Sequence, residues 1–224
     1  MATINPHPPT LWIIGGGKFG LISAKALRKK HPAARIVVVD QDQAVCSGME
    51  KRSFQSVCMD GISFLNRSLT DPAFPDWIVP VVPVHLTYEW VKARLTAAYT
   101  IDPIPVPDSV LMQIPNVMHG SGSQVYSSIA DFLCPEDCPE PSGNCTHTGK
   151  PRPCLLYEQL ERLTNEEIPS IVVKSRKLAP GVGGFRPAAL FTALEAVSAA
   201  TGPVLLSTAC SCHGVLNAFE IRLR

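Results

Sequence analysis

The sequence predicts a Rossmann-like α/β fold: a doubly wound, mainly parallel sheet with a Cys-rich loop inserted into its second half. Two observations predict the sheet. Short β-branched runs alternate with helical segments along most of the 224 residues, and the first run leads into a glycine turn of dinucleotide-binding spacing. A third observation predicts the insertion. Four of the eight cysteines fall within residues 134–154, in a stretch with five prolines, two glycines and no large apolar side chain. Such a stretch cannot fold by apolar burial.

Residues 11–14 are an apolar run, expected to be a buried parallel strand. The run opens into Gly15, Gly16, Gly17, Lys18, Phe19 and Gly20, where residues 15, 17 and 20 match G-x-G-x-x-G. A helix is expected over 18–30, with Phe19, Ile22, Ala26 and Leu27 inward and Lys29 and Lys30 at its negative end, before Pro32 stops it. Residues 35–40 are a second strand that ends on Asp40. Gly15 permits the tight turn, Gly17 lets a pyrophosphate approach the backbone, and Gly20 lets the helix pack on the strand. The helix start, with Lys18 and Phe19, offers free N–H groups and a positive dipole end to phosphate. Asp40 can accept hydrogen bonds from a ribose diol and would repel a 2′-phosphate. The expected ligand is therefore NAD or an adenine nucleotide.

Further elements follow in β/α order. Strands are expected over 54–59, 77–82, 109–114, 170–174 and 204–207, and helices over 62–69, 85–98, 155–163 and 187–200, the last with Pro187 near its first turn. Residues 100–107 read as a Pro-rich connection and 116–123 as a loop. The chain is expected to be a single domain over 1–224, with a nucleotide-binding core at 10–115, the Cys-rich insertion at 116–154 and a β-α-β completion at 155–224.

The strand-end acid Asp60, followed by Gly61, together with the glycine turn, resembles the nucleotide-binding domain of Trk/RCK potassium-transport regulators over residues 10–70. In that family this turn lies near the adenine, so the resemblance implies a nucleotide-binding role for Asp60. The family's Gly-Asp order is replaced here by Met59-Asp60. The initial Gly-Gly-Gly-Lys also resembles the dehydrogenases of sirohaem synthesis. These resemblances imply NAD(H) or adenine-nucleotide binding and do not imply potassium transport.

Cys134, Cys138, Cys145 and Cys154 are spaced C-x3-C-x6-C-x8-C, which matches neither a zinc ribbon nor the familiar ferredoxin runs. Their density makes them candidate metal ligands. A [4Fe–4S] cluster is preferred over zinc because the Cys-Pro steps at 134 and 138 suit it, and His147 is a substitute ligand. Cys210, Cys212 and His213 follow the last predicted strand and are candidate catalytic groups, as a redox pair, a second metal site or a partner for the Cys-rich loop, against a plain packing role. Gly181, Gly183 and Gly184 link a strand to a helix beside Lys174 and Arg176, so an anionic small molecule is a candidate ligand there. Cys46 and Cys58 read as buried apolar residues. His7 and His31 are Pro-flanked, and His85 and His119 are left without an assigned role.

A formal net charge of +1 gives no global field for nucleic acid or anionic membrane. Neither a signal-peptide pattern nor a membrane-length apolar run is present, and cytoplasm is the expected location. G-x-S-x-G, H-E-x-x-H and P-loop patterns are absent. Two readings follow, with a homodimer left open in both. The first is an NAD(H)-binding oxidoreductase-like protein with a Cys-ligated metal centre. Hydride carries two electrons and a cluster one, and no flavin motif is evident, so substrate dehydrogenation beside a structural metal is the simpler form of this chemistry. The second is a non-catalytic nucleotide-sensing regulatory subunit with a structural zinc.

Overall fold

The computed structural model describes residues 8–70, 74–141, 143–163 and 168–224. Its first half runs β1 (Thr10–Ile14), α1 (Lys18–Lys30), β2 (Arg35–Asp40), α2 (Gln43–Glu50), β3 (Gln55–Cys58), α3 (Gly61–Ser68), β4 (Trp77–Pro80) and α4 (Leu86–Leu95). The four strands form one parallel sheet in the order β3-β2-β1-β4, as expected for a Rossmann-like α/β domain. His7 lies outside the described residues.

The second half continues with β5 (Tyr99–Ile104), α5 (Asp108–Leu111), β6 (Met118–His119), β7 (Gln124–Ser128), α6 (Leu156–Glu161), β8 (Ser170–Lys174), β9 (Arg176–Ala179), β10 (Val182–Gly184), α7 (Pro187–Ala199), β11 (Gly202–Ala209) and β12 (His213–Leu223). These strands do not extend the first sheet. A second, mixed sheet has the order β6-β7-β12-β11-β8, with only β8 and β11 parallel. β12 is its spine: its far edge pairs with β7 through residues 213–217 and with β5 through residues 218–223.

Alternation along the strands sets the layering. Trp12, Ile14, Val37 and Val39 face one way from the first sheet, and Val204, Leu206, Phe219 and Ile221 face back from the second. Helices α3, α4 and α7 fill the space between, as Phe64, Trp90 and Leu190 show. On the outer face of the first sheet, Leu11, Ile13 and Val38 meet α1 and the β9–β10 hairpin through Leu27 and Val182. On the outer face of the second, Leu205 and Leu216 meet α5 and α6 through Val110 and Leu156.

Several expected elements differ. Residues 100–107 are not a mere connection, because β5 forms there, and Pro103 is tolerated because that strand lies at a sheet edge. Residues 109–114 start as helix α5, not a strand: Pro107 and Asp108 are helix-start residues, and Val110, Leu111 and Ile114 have helical spacing. The packing face of α1 carries Gly20, Ser23, Ala24 and Leu27, whereas Phe19 is 54% exposed. The reason is Gly20, which must face Gly15 closely and so fixes the phase of the helix. α4 buries Leu86, Tyr88, Trp90, Val91 and Leu95 on several faces because sheets lie on both sides of it. Cys46 is buried as expected, but Cys58 is exposed at the end of edge strand β3.

Candidate functional site

The glycine turn leaves the carboxyl end of β1. Gly15 has φ +106°, and a Cβ there would lie 2.6 Å from the Val81 carbonyl oxygen. A Cβ on Gly20 would overlap the Gly15 carbonyl oxygen, whereas one on Gly17 would meet nothing within 4 Å. Gly17 is thus the open face of the turn, at the N-cap of α1 where the first helical N–H groups are free. Asp40 pins this turn. One carboxylate oxygen accepts from the Gly16 N–H at 2.7 Å and the other from the Asp42 N–H at 2.9 Å. Each oxygen retains acceptor capacity. Asp60 caps α3, accepting from the Ser63 N–H at 2.8 Å, so the strand-end acid has a structural task in the fold. Asp42 caps α2 through the Ala44 N–H.

The Cys-rich loop is held by polar contacts from three sides. Lys18 at the start of α1 pairs with Glu136 at 2.8 Å, both exposed. Gly181, with φ +68°, donates its N–H to the Cys138 carbonyl at 2.9 Å, and a Cβ there would overlap the Glu136 carbonyl oxygen. Lys177 donates to the Pro139 and Glu140 carbonyls. The Ser211 N–H donates to the Glu140 carboxylate at 2.9 Å. Within the loop, Phe132 stacks on His147 at 4.4 Å between ring centroids. Backbone hydrogen bonding thus replaces the apolar burial that the loop cannot supply. This also revises the expected anion site around Gly181, Gly183 and Gly184. The Gly181 N–H is spent on Cys138, and the glycine makes room for the loop's own backbone.

Between the loop, α1 and the β11–β12 turn lies a cavity of about 640 Å³. Cys134, Cys138, Cys145, Cys210, Cys212 and His213 all line it, and Phe19 and Gly183 complete its wall. It sits where β8 and β11 end, with Phe19 at the start of α1 in its wall. Cys154 is not part of this group. Its thiol donates to the Gln159 side-chain oxygen at 3.2 Å and lines a separate recess with Gln113 and Glu158. Among the described residues, no three His, Cys, Asp or Glu side chains are grouped as a ready site for a single metal ion.

The thiols feel one another. Burial pushes the Cys134 pKa up, and the charges of Cys138, Cys212 and Cys145 push it further. Burial drives Cys210 up to about 11, with the Glu140 carboxylate adding to the effect. Cys212 is raised by burial against the opposing pull of Arg152, whose Nε–H donates to Cys212 Sγ at 2.8 Å. Cys145 moves the other way, because the backbone N–H groups of Thr148 and then His147 stabilise its thiolate. Cys210 Sγ likewise accepts from the N–H groups of Cys212 and His213, at 3.5 and 3.4 Å.

Sequence reading left His85 without a role, yet it is the most constrained polar residue beside the cavity. It is 2% exposed at the N-cap of α4. Its Nδ1 lies 2.9 Å from Asn217 Oδ1, and its Nε2 lies 2.9 Å from Thr208 Oγ1, which also meets Thr87 Oγ1 at 2.8 Å. Burial pushes its pKa down to about 4, against the raising effect of the Asn217 hydrogen bond, so the ring is neutral at pH 7. The amide oxygen of Asn217 can only accept, which puts the proton on Nδ1. Thr208 then donates to Nε2 and Thr87 donates to Thr208. Thr208 reaches both the cavity wall and this network. His119 is exposed on β6.

Residues 87–222 match the AF_1314_C family, described as "Uncharacterized protein, C-terminal domain". Residues 11–64 match the TrkA-N domain, which supports a Rossmann-like nucleotide-binding domain in the first half. A protein of Archaeoglobus fulgidus, named only as an uncharacterized protein, is 27% identical over 222 residues that cover 93% of this chain and 98% of that protein. No solved structure matches the chain. Among the described residues, no helix is long and apolar enough to cross a membrane.

Proposed function

The chain belongs to the AF_1314_C family, whose match spans the Cys-bearing half, and we propose that it is an NAD(H)-binding oxidoreductase-like protein with a Cys-ligated metal centre, iron–sulfur in preference to zinc. One observation carries this reading. The start of the glycine-turn helix and five thiols border the same cavity, with Phe19 in its wall and Lys18 paired to Glu136 of the Cys-rich loop. Gly17 and the free N–H groups of α1 would hold the pyrophosphate, with Gly15 and Gly20 shaping the turn, and Asp40 would hold the ribose. A nicotinamide bound there would supply hydride exchange. The chain's own contribution is a fixed phosphate cradle, a negative carboxylate against a 2′-phosphate, and a thiol-lined recess at the same edge. The thiols surround a cavity rather than one point, which suits a polynuclear cluster better than a single tetrahedral ion with Zn–S bonds of about 2.3 Å.

Anaerobic purification with a visible spectrum and metal and sulfide analysis tests the metal half of this reading. Broad absorbance near ~400 nm with iron and sulfide is expected. Colourless protein with one zinc per chain would make the centre structural, and protein that holds neither metal would end the metal proposal. A nucleotide-sensing regulatory role is the second reading. The Lys18–Glu136 contact favours it, because phosphate at the start of α1 would compete for Lys18 and loosen the loop.

A further inference from the structure

We propose that the recess between the open edge of β8 and helix α7 binds a small organic anion. Its doubly charged head, a phosphate monoester or a dicarboxylate, lies at Lys174, Arg176 and Arg186, and its short apolar body lies beside Ile171 and Ala193. The recess has a volume of about 490 Å³ and shares no described residue with the thiol-lined cavity. It is also separate from the glycine turn. Trp77 in its wall pairs with Leu11 at the amino end of the parallel sheet, whereas the glycine turn leaves the carboxyl end. Lys174 and Arg176 were expected to serve an anion together with the glycines of the β9–β10 hairpin. The fold sets both in the wall of this other recess, where Arg186 joins them.

The path of the chain explains why three cations meet there. β8 and β11 are parallel, so the connecting helix α7 returns against them and starts where β8 ends. Arg176 stands opposite Gly184, two residues before Arg186. The Leu205 N–H donates to the Pro169 carbonyl at 3.0 Å and the Ser175 N–H to the Ala209 carbonyl at 2.8 Å. Odd-numbered residues of β8 therefore bond to β11, and the N–H groups of Val172 and Lys174 point to the open edge. Lys174 pairs with Glu161 at 3.0 Å and Arg186 with Asp76 at 3.4 Å, both pairs partly exposed and so weakly held. Among the described residues Arg176 makes no ion pair, so positive charge exceeds negative at this end. Arg186 already lies over the Trp77 ring, 4.2 Å from its centroid, which lowers the cost of ordering it on a ligand. Two guanidinium forks, an ammonium group and edge N–H groups are donors that suit a phosphate or paired carboxylates. Away from the charges, the small side chains of Ala189, Ala193 and Ala196 leave an apolar slot beside Ile171.

The test is titration of the full chain with inorganic phosphate, succinate, phenyl phosphate and phenylsuccinate, followed by tryptophan emission. Trp77 is half-buried in the recess, whereas Trp12 and Trp90 are 7% and 1% exposed, so a change in emission reports this site. A saturable change is expected with phenyl phosphate or phenylsuccinate, and the tighter of the two identifies the head. That probe should bind about tenfold more tightly than its head alone, because the ring is buried. The double variant Lys174→Gln/Arg176→Gln should weaken binding by about tenfold or more, and Arg176→Gln, which breaks no ion pair, by about threefold. Gly17→Ala, altered at the nucleotide turn, should bind the probe as wild type does. No saturable change with any of the four probes up to about 10 mM overturns the site. So does affinity unchanged in the double variant. Loss of the signal in Gly17→Ala would assign it to the start of α1 and overturn the recess as the binding place. Equal affinity for head and whole probe overturns the apolar body. The wild-type titration needs no variant to fold.

Discussion

Gly17 and Gly20 lie three positions apart in one turn, and replacing them separates binding from folding. A Cβ on Gly20 collides with backbone at the Gly15 carbonyl, so Gly20→Ala should cost about 3 kcal/mol or more in chemical denaturation. A Cβ on Gly17 meets open space, so Gly17→Ala should cost about 1 kcal/mol, its loss as an N-cap, yet weaken nucleotide binding roughly tenfold or more by blocking phosphate approach. Equal nucleotide affinity in Gly17→Ala and wild type would contradict the cradle. His85 makes a second prediction at this scale. Its folded pKa of about 4 lies below the ordinary value of 6.5, so between these pH values the unfolded chain binds the extra proton. Stability should therefore rise with pH across that window and fall as pH drops towards 4, by up to roughly 3 kcal/mol. Denaturation midpoints at pH 4.5 and 7 read the slope, and His85→Asn should flatten it. The glycine turn was legible in the sequence because backbone clearance admits only glycine. His85 was not, because its partners Thr208 and Asn217 stand more than 120 residues away on strands that had to be paired first.

At the scale of elements, the Cys-rich loop depends on the β9–β10 hairpin that receives it. Gly181→Ala would strain a position at φ +68° and drive a Cβ into the Glu136 carbonyl. The loop should detach while both sheets keep their own cores. Limited proteolysis should then cut within residues 134–154, with the main thermal transition shifted by no more than about 4 °C. A loop still protected in Gly181→Ala would mean that other contacts hold it. Elements of the first half were read well because parallel, buried strands appear as continuous apolar runs. β5 and β12 were missed because their pairing is long-range. Pro103 disguises β5, and the polar residues His213, Asn217 and Glu220 break up the 11-residue β12. Cys154 adjoins the other loop thiols in sequence, yet its side chain lines a different recess.

At the scale of the whole molecule, two sheets with a shared helical layer bring the end of β11 to the start of α1. Phe19 at the start of α1 and the β11–β12 turn, some 190 residues apart in sequence, line one cavity. The proposed nucleotide cradle would then lie beside a thiol-lined cavity. Calorimetric titration of the anaerobically purified full chain with NADH tests it most directly. Saturable binding of one nucleotide per chain is expected, with NADPH weaker by roughly tenfold because the Asp40 carboxylate would repel a 2′-phosphate. Absence of binding by NADH, NAD and the adenine nucleotides alike would contradict a nucleotide role for this edge.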